Sequence, residues 1–388
     1  MTDPVIAPMA AAVMPSTNAF TPGSLPFAAM GLAAIVVQAA AAAPRPETLY
    51  TSPSGTIAAF AQDGQLLAWF ARGTKSCNTV WVLDIATSER VKLPEQGPRA
   101  LNVTCDWDVV APVRLAVDGK TATALWTLRE LTPLRFDYLI GASFRNRLER
   151  RFQKIAHAPR GPGLWLGGIA GDGNTLVYSV TSVDFADEVG CLSKPKAPRA
   201  CAMRVGNRGG VYRVTGRTTH VIPGTEPGGM QVALAHGKVA YIRATSVAGD
   251  GTPLTGAQID IRNVKDGTLV AQVSPQGTPT ALALSATVLA TLERRSSGLR
   301  LAWYDPASGR DAGSVPVPAG TSPELSASSR AIIFRIGTTV RVVDVKTKKI
   351  RTVARAAAAP IGLSIEGTRV AWAENLNGKG RIRALTVR

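Results

Sequence analysis

Three short stretches decide the fold: Asp63-Gly-Gln-Leu-Leu-Ala-Trp69, Asp172-Gly-Asn-Thr-Leu-Val-Tyr178 and Glu366-Gly-Thr-Arg-Val-Ala-Trp372. Each places a glycine after an acid, then an apolar run closed by an aromatic residue. Glycine reaches φ above zero without a Cβ clash, so Asp-Gly between apolar segments reads as a tight hairpin turn. Asp63-Gly64, Asp118-Gly119 and Asp172-Gly173 recur at intervals of 55 and 54 residues, a spacing that belongs to repeated multi-strand units. The aromatic residue keeps the register. Trp69, Tyr178 and Trp372 lie five residues after their glycines, Trp126 seven after Gly119, Tyr241 four after Gly237 and Phe334 five after Ser329. Val288-Leu-Ala-Thr-Leu292 is a copy without the ring, and seven units result.

Within a unit, a third strand ends in an acidic turn, as in Trp81-Val-Leu-Asp84-Ile-Ala-Thr87, Trp303-Tyr-Asp305-Pro-Ala-Ser-Gly309 and Val343-Asp344-Val-Lys-Thr347. An Asp there accepts from the backbone two or three residues on. A short β-branched strand follows, such as Arg90-Val-Lys-Leu93 or Ile350-Arg-Thr-Val353. Gly, Pro, Asp, Asn and Ser recur every 8 to 12 residues beyond residue 45 without long helical periodicity, which is an all-β signature. Four antiparallel strands per unit and seven units describe a seven-bladed β-propeller. Such sheets have two apolar faces and bury them by stacking around an axis. The aromatics Trp69, Trp126, Tyr178, Tyr241, Phe334 and Trp372 are read as packing between blades. Insertions are expected at 99–109, 183–210 and 246–256. The last unit, 361–388, has about three strands, and Glu47–Thr51 is expected to supply the fourth, so that N- and C-terminal strands share one blade and close the ring.

Gly64-x-Leu-x-Ala-Trp69 followed by Trp81-Val-Leu-Asp84, and again Gly367-x-Arg-Val-Ala-Trp372, resemble the WD40-like, TolB-type propeller repeats of exported bacterial proteins. The resemblance covers nearly all of the chain beyond residue 45. It implies a periplasmic or extracellular propeller that binds proteins or ligands. The Ser-Pro-Asp-Gly form usual in that repeat is reduced here to Ser52-Pro-Ser-Gly55.

The first 44 residues differ in kind from the rest. They hold no Lys or Arg and one acid, Asp3. The apolar core Phe27–Val37 and the small residues Ala39–Ala43 read as an export signal cleaved near Ala41 or Ala43, or as a retained N-terminal membrane anchor. Residues 1–43 thus form the leader and 44–388 the propeller domain. Cys77, Cys105, Cys191 and Cys201 are even in number without a C-x-x-C pair, and export favours disulfides, locally Cys77 with Cys105 and Cys191 with Cys201.

Composition narrows the function. With 45% hydrophobic and 18% charged residues the chain is not intrinsically disordered, and its one apolar run near spanning length precedes residue 44, which excludes a polytopic membrane protein. The histidines His157, His220 and His236 form no ligand pattern. No G-x-S-x-G elbow, phosphate loop or calcium loop is present, so no catalytic, metal or cofactor residue is assigned. A net charge of +17 is the chemical feature left, and it draws the chain to anionic surfaces. Arg145, Arg147, Arg150 and Arg151, with Lys154, form one basic group; Lys194, Lys196 and Arg199, with Arg204 and Arg208, form another in the insertion that Cys191 and Cys201 would pin. The reading is a monomeric, non-catalytic, secreted or envelope-associated propeller. It binds a protein or an anionic cell-envelope component through this basic rim, with nucleic acid disfavoured and membrane contact limited to an uncleaved leader. The competing reading is a lactonase- or lyase-like propeller enzyme with an axial, metal-dependent site.

Overall fold

The computed structural model describes residues 45–53, 55–72, 79–93, 115–118, 123–130, 136–143, 149–156, 163–184, 187, 191, 201–215, 218–249 and 251–387. The strands at 123–130, 136–143 and 149–156 are described as backbone, apart from Ala124. The leader, Cys77, Cys105 and the expected insertion at 99–109 lie outside the described residues.

Every extended element is a β-strand, and the strands form consecutive antiparallel meanders. After β1 (Glu47–Thr51), the first meander comprises β2 (Thr56–Asp63), β3 (Leu66–Arg72), β4 (Thr79–Asp84) and β5 (Arg90–Leu93). The second comprises β6 (Leu115–Asp118), β7 (Thr123–Glu130), β8 (Phe136–Ser143) and β9 (Glu149–Ala156). The third contains β10 (Leu164–Asp172), β11 (Thr175–Val183) and the long β12 (Ala202–Thr215), whose outer half pairs with β13 (Thr218–Val221). The fourth begins with β14 (Val232–Ala235) and β15 (Lys238–Arg243), sends out an arm of β16 (Ser246–Ala248) and β17 (Pro253–Thr255), and ends with β18 (Gln258–Asn263) and β19 (Leu269–Val273). The fifth has β20 (Thr278–Leu284), β21 (Leu289–Arg295), β22 (Gly298–Tyr304) and β23 (Asp311–Val317); the sixth has β24 (Ser326–Ala327), β25 (Ala331–Ile336), β26 (Thr339–Asp344) and β27 (Ile350–Arg355). The last, β28 (Ile361–Glu366), β29 (Arg369–Leu376) and β30 (Lys379–Thr386), takes β1 as its outer strand, with Glu47 opposite Ala384 and Thr51 opposite Arg381.

The third sheet departs from the expected four strands. The inner half of β12 extends past the meander, and its free edge pairs with β16 (Met203 opposite Val247), which joins the arm of the fourth sheet to the third. An exposed strand edge is a row of unpaired backbone groups, and the arm satisfies it. Trp165, Val183, Cys191, Met203, Met230 and Val247 form a small separate core under this arm.

Burial follows position in the meander. Second strands lose the alternation of a one-faced sheet because neighbours cover both faces: Leu66 to Phe70 are all buried, as are Val370 to Glu374. Outer strands keep an exposed face, as in β27. Each described register aromatic faces the preceding sheet. Trp69 packs with Ala371 and Ile382, Tyr178 with Ala116, Tyr241 with Val177 and Val211, Phe334 with Leu292 and Trp303, and Trp372 with Ile333 and Val342. In the copy without a ring, Thr291 is fully buried and Tyr304 of β22 supplies the aromatic in the cluster shared with the fourth sheet. The side chain of Trp126 lies outside the described residues.

Candidate functional site

The first strands of the sheets touch one another in order. β2 contacts β6, β6 contacts β10, and so on through β14, β20, β24 and β28, which contacts β2. Between them lies a narrow cavity of about 240 Å³, lined by residues from each of these seven strands or the residue just before it. Its walls are small and apolar, such as Ala116, Ala170, Ala233 and Ala283, with Gln62, Ser326 and Ser364 as the polar side chains. Where the turns are described, the first and third of a meander lie at one end of its sheet and the second connection at the other.

At the turn end, the repeated acids act between sheets. Asp63 is buried, and its Oδ2 accepts from the backbone N–H of Gly173, 2.7 Å away in the third sheet. Asp172 accepts from the N–H of His236 in the fourth sheet, also at 2.7 Å. Glu366 accepts from the N–H of Gly64 in the first sheet. The expected φ above zero is present at Gly64 (56°), Gly173 (61°) and Gly367 (58°). The third-strand acids behave as expected: Asp84 accepts from Ala86 N, Asp305 from Ala307 N and Asp344 from Thr347 N. These backbone donors hold the Asp305 and Asp344 carboxyls below the usual carboxylate range.

Glu366 behaves in the opposite sense. The packing around its carboxyl, then the charges of Asp63 and to a lesser extent Asp172, raise its pKa. A carboxyl whose folded pKa is raised favours the folded state below its ordinary pKa and progressively loses that advantage as pH rises through the folded value. Replacing Glu366 by Gln keeps an acceptor for Gly64 and removes the charge. The variant is expected to melt higher than the native protein at pH 7 and with it at pH 4; parallel melting curves across that range would refute the carboxylate repulsion.

Buried carboxylates elsewhere are held by cations. Glu293 is fully buried, with Arg300 Nε 2.9 Å from Oε2 and the Tyr304 hydroxyl donating to Oε1 at 2.6 Å. Burial, and then that hydrogen bond, push the Tyr304 phenol up. Glu374 binds Arg381 Nη2 at 2.6 Å and accepts from Ala357 N. Asp260 accepts from the Tyr241 hydroxyl and Gln272, and pairs with Arg243 at 3.1 Å. Burial raises the Tyr241 pKa to about 12. In each network both carboxylate oxygens are engaged, so these groups orient neighbouring strands. The two Glu–Arg pairs share a signal: a Glu on the second strand and an Arg seven residues later on the third.

Of the basic rim, Arg145, Arg147, Lys194, Lys196 and Arg199 lie outside the described residues. Arg150 and Arg151 lie on β9, opposite Gly141 and Ile140. Arg204 is ion-paired to Asp184 and Asp187, each at 3.0 Å. Cys191 and Cys201 are joined by a disulfide with Cα atoms 5.4 Å apart. His220 is exposed beside Thr218, and His236 is a turn residue with φ of 49°. Among the described residues no group of three or more His, Cys, Asp or Glu is placed to hold a metal ion.

Among solved structures, the β-propeller domain of the Trilobed protease from Pyrococcus furiosus aligns over 86% of this chain and 95% of its own, with a TM-score of 0.52 and 10% identity. The fold is that of a β-propeller. That domain is described as having an open velcro topology, whereas here β1 pairs with β30. The Dos1 propeller (88% and 95% covered, TM-score 0.44, 8% identity) and BamB from Moraxella catarrhalis (84% and 85%, 0.40, 12%) also align. No family model and no curated protein matches the sequence.

Proposed function

We propose that this chain is an exported, seven-bladed propeller, closed by β1 in the last blade, that binds a protein or an anionic envelope component without catalysis. Lys194, Lys196 and Arg199 form its first contact surface, and Arg145, Arg147, Arg150 and Arg151 its second. The observation that carries this reading is the anchored insertion between β11 and β12. The Cys191–Cys201 disulfide and the Arg204 ion pairs tie the two described ends of this insertion together beside β11 and β12. A disulfide also fits an oxidising, extracytoplasmic compartment, reached through residues 1–43 as an export signal. Cys191, Met203 and Val247 share one small core, so the described base of this insertion lies against the arm of the fourth sheet. Loops gathered at one end of a rigid scaffold are a usual place for recognition.

Changing Lys194, Lys196 and Arg199 together to Ser should weaken retention on immobilised anionic cell-wall polymer and flatten its salt dependence, because fewer charges are then screened. Unchanged retention at low salt would exclude this surface. The second reading, an axial metal-dependent enzyme, is favoured by the open mouth of the axial cavity beside that arm. Stoichiometric divalent metal in the purified protein would support it over a pure binding module.

A further inference from the structure

We infer that the mouth of the axial cavity beside the β16–β17 arm is a binding site for a small organic anion with an apolar body, its charge held by Arg294. This inference is separate from the basic-rim reading. Four first strands carry a register shift at the same height: between Ile57 and Ala59, Leu166 and Ile169, Pro279 and Ala281, and Ile361 and Ser364. A bulge re-aims the residue it inserts and is common beside binding sites. Ala58, Gly168, Thr280 and Gly362, which lie within these shifts, all line a mouth cavity of about 740 Å³, a volume within the ~300–1,000 Å³ of small-molecule sites. They are small where they meet it. At Gly168 and Gly362 no larger residue fits: a Cβ would fall 2.7 Å from Val232 N and 2.2 Å from Phe60 O.

The cavity wall supplies the chemistry. Met230, Leu292, Leu299 and Leu325 form an apolar side. Among the described residues two charged ones reach the lining, Arg294 and Glu324. Glu324 is already bound by Arg335 Nε at 2.7 Å. Arg294 is exposed and makes no ion pair among the described residues, whereas the nearby Arg243, Arg300 and Arg335 each hold a carboxylate. The mouth therefore carries one uncompensated guanidinium beside an apolar wall, a match for a carboxylate on a ring or short chain. The arm of β16 and β17, paired to β12, steadies the wall around Met230, which packs in its small core, with Thr252 on the lining.

Isothermal titration of the full chain with 2-naphthoate, and with neutral 2-naphthamide, tests the inference. One-to-one naphthoate binding is expected, weakened about tenfold or more by Arg294→Gln, as befits loss of a charge-assisted hydrogen bond. Naphthamide should bind weakly and equally to both. Arg330→Gln removes the same net charge at the turn end and should leave the naphthoate Kd unchanged. Both changed side chains are exposed, and an unaltered melting temperature confirms that each variant is folded. Absence of naphthoate binding up to about 10 mM, an Arg294→Gln affinity equal to the native one, or an equal loss in Arg330→Gln would each overturn the proposal, whatever the polymer-retention experiment shows.

Discussion

Deletion of residues 46–52 is expected to cost this protein a large share of its stability. The deletion removes the ladder between β1 and β30, together with the bond from Ser52 N to Gly380 O at 2.7 Å and that from Arg383 to Pro46 O at 2.7 Å. Each such bond contributes roughly 1 kcal/mol net. The deletion also strips Tyr50 from the seam between the last and first sheets. The Tyr50 ring lies 4.7 Å from Trp69, and the Arg90 guanidinium sits 4.9 Å from Tyr50 and 5.0 Å from Trp81. Trp69 and Ile382 would then meet water where they are now fully buried. Burial of one large apolar side chain stabilises by roughly 1.5–3 kcal/mol. Together these losses come to about 5 kcal/mol or more, against the ~5–15 kcal/mol that typically separates folded from unfolded protein. Chemical denaturation should show a lower midpoint, and Tyr50→Ala alone should reproduce part of the shift. An unchanged midpoint for the deletion would mean that β1 plays no part in joining the ends.

Trp372→Ala should be the most damaging single substitution among the register aromatics, at about 3–5 kcal/mol. The side chain is 1% exposed and fills the space between Ile333, Val340 and Val342 of the sixth sheet and Leu363, Val370 and Leu385 of the seventh. The ladders of β26 with β27 and of β29 with β30 flank the side chain, so closing the void would break backbone pairing. Trp372→Phe separates volume from polarity. The indole N–H is buried without an acceptor, so a ring lacking it keeps most of the packing and sheds an unmet donor. Phe should therefore cost far less than Ala. Thr291→Ala, at the position where the repeat lacks its ring, should cost far less as well, because Tyr304 does the filling there. Equal losses at 372 and 291 would show that the register aromatics do not wedge the sheets apart from one another.

Much of this fold could be read along the chain. The Asp-Gly turns, the aromatic five residues on, and the Asp-capped third turn are all settled by neighbours within a few residues: φ above zero needs glycine, and a short acid bonds the backbone two or three positions away. The pairing of Glu47–Thr51 with the C-terminal strands was legible for a related reason, since the last unit was one strand short and the fourth had to come from elsewhere in the chain.

The site was less legible. Asp63 looked like half of a hairpin signal, yet its carboxylate serves Gly173, 110 residues away, and Asp172 serves His236. The bulges that set Ala58, Gly168, Thr280 and Gly362 into the mouth leave little trace in composition. The pairing of β12 with β16 joins two insertions that read as separate loops. From the sequence alone came the all-β meanders, their turns and the register of their aromatics, because backbone sterics and hydrophobic patterning act between near neighbours. Tertiary structure decided which carboxylate caps which turn, which arginine reaches the mouth and where the axial cavity opens, because those depend on which strand ends the packed sheets bring side by side.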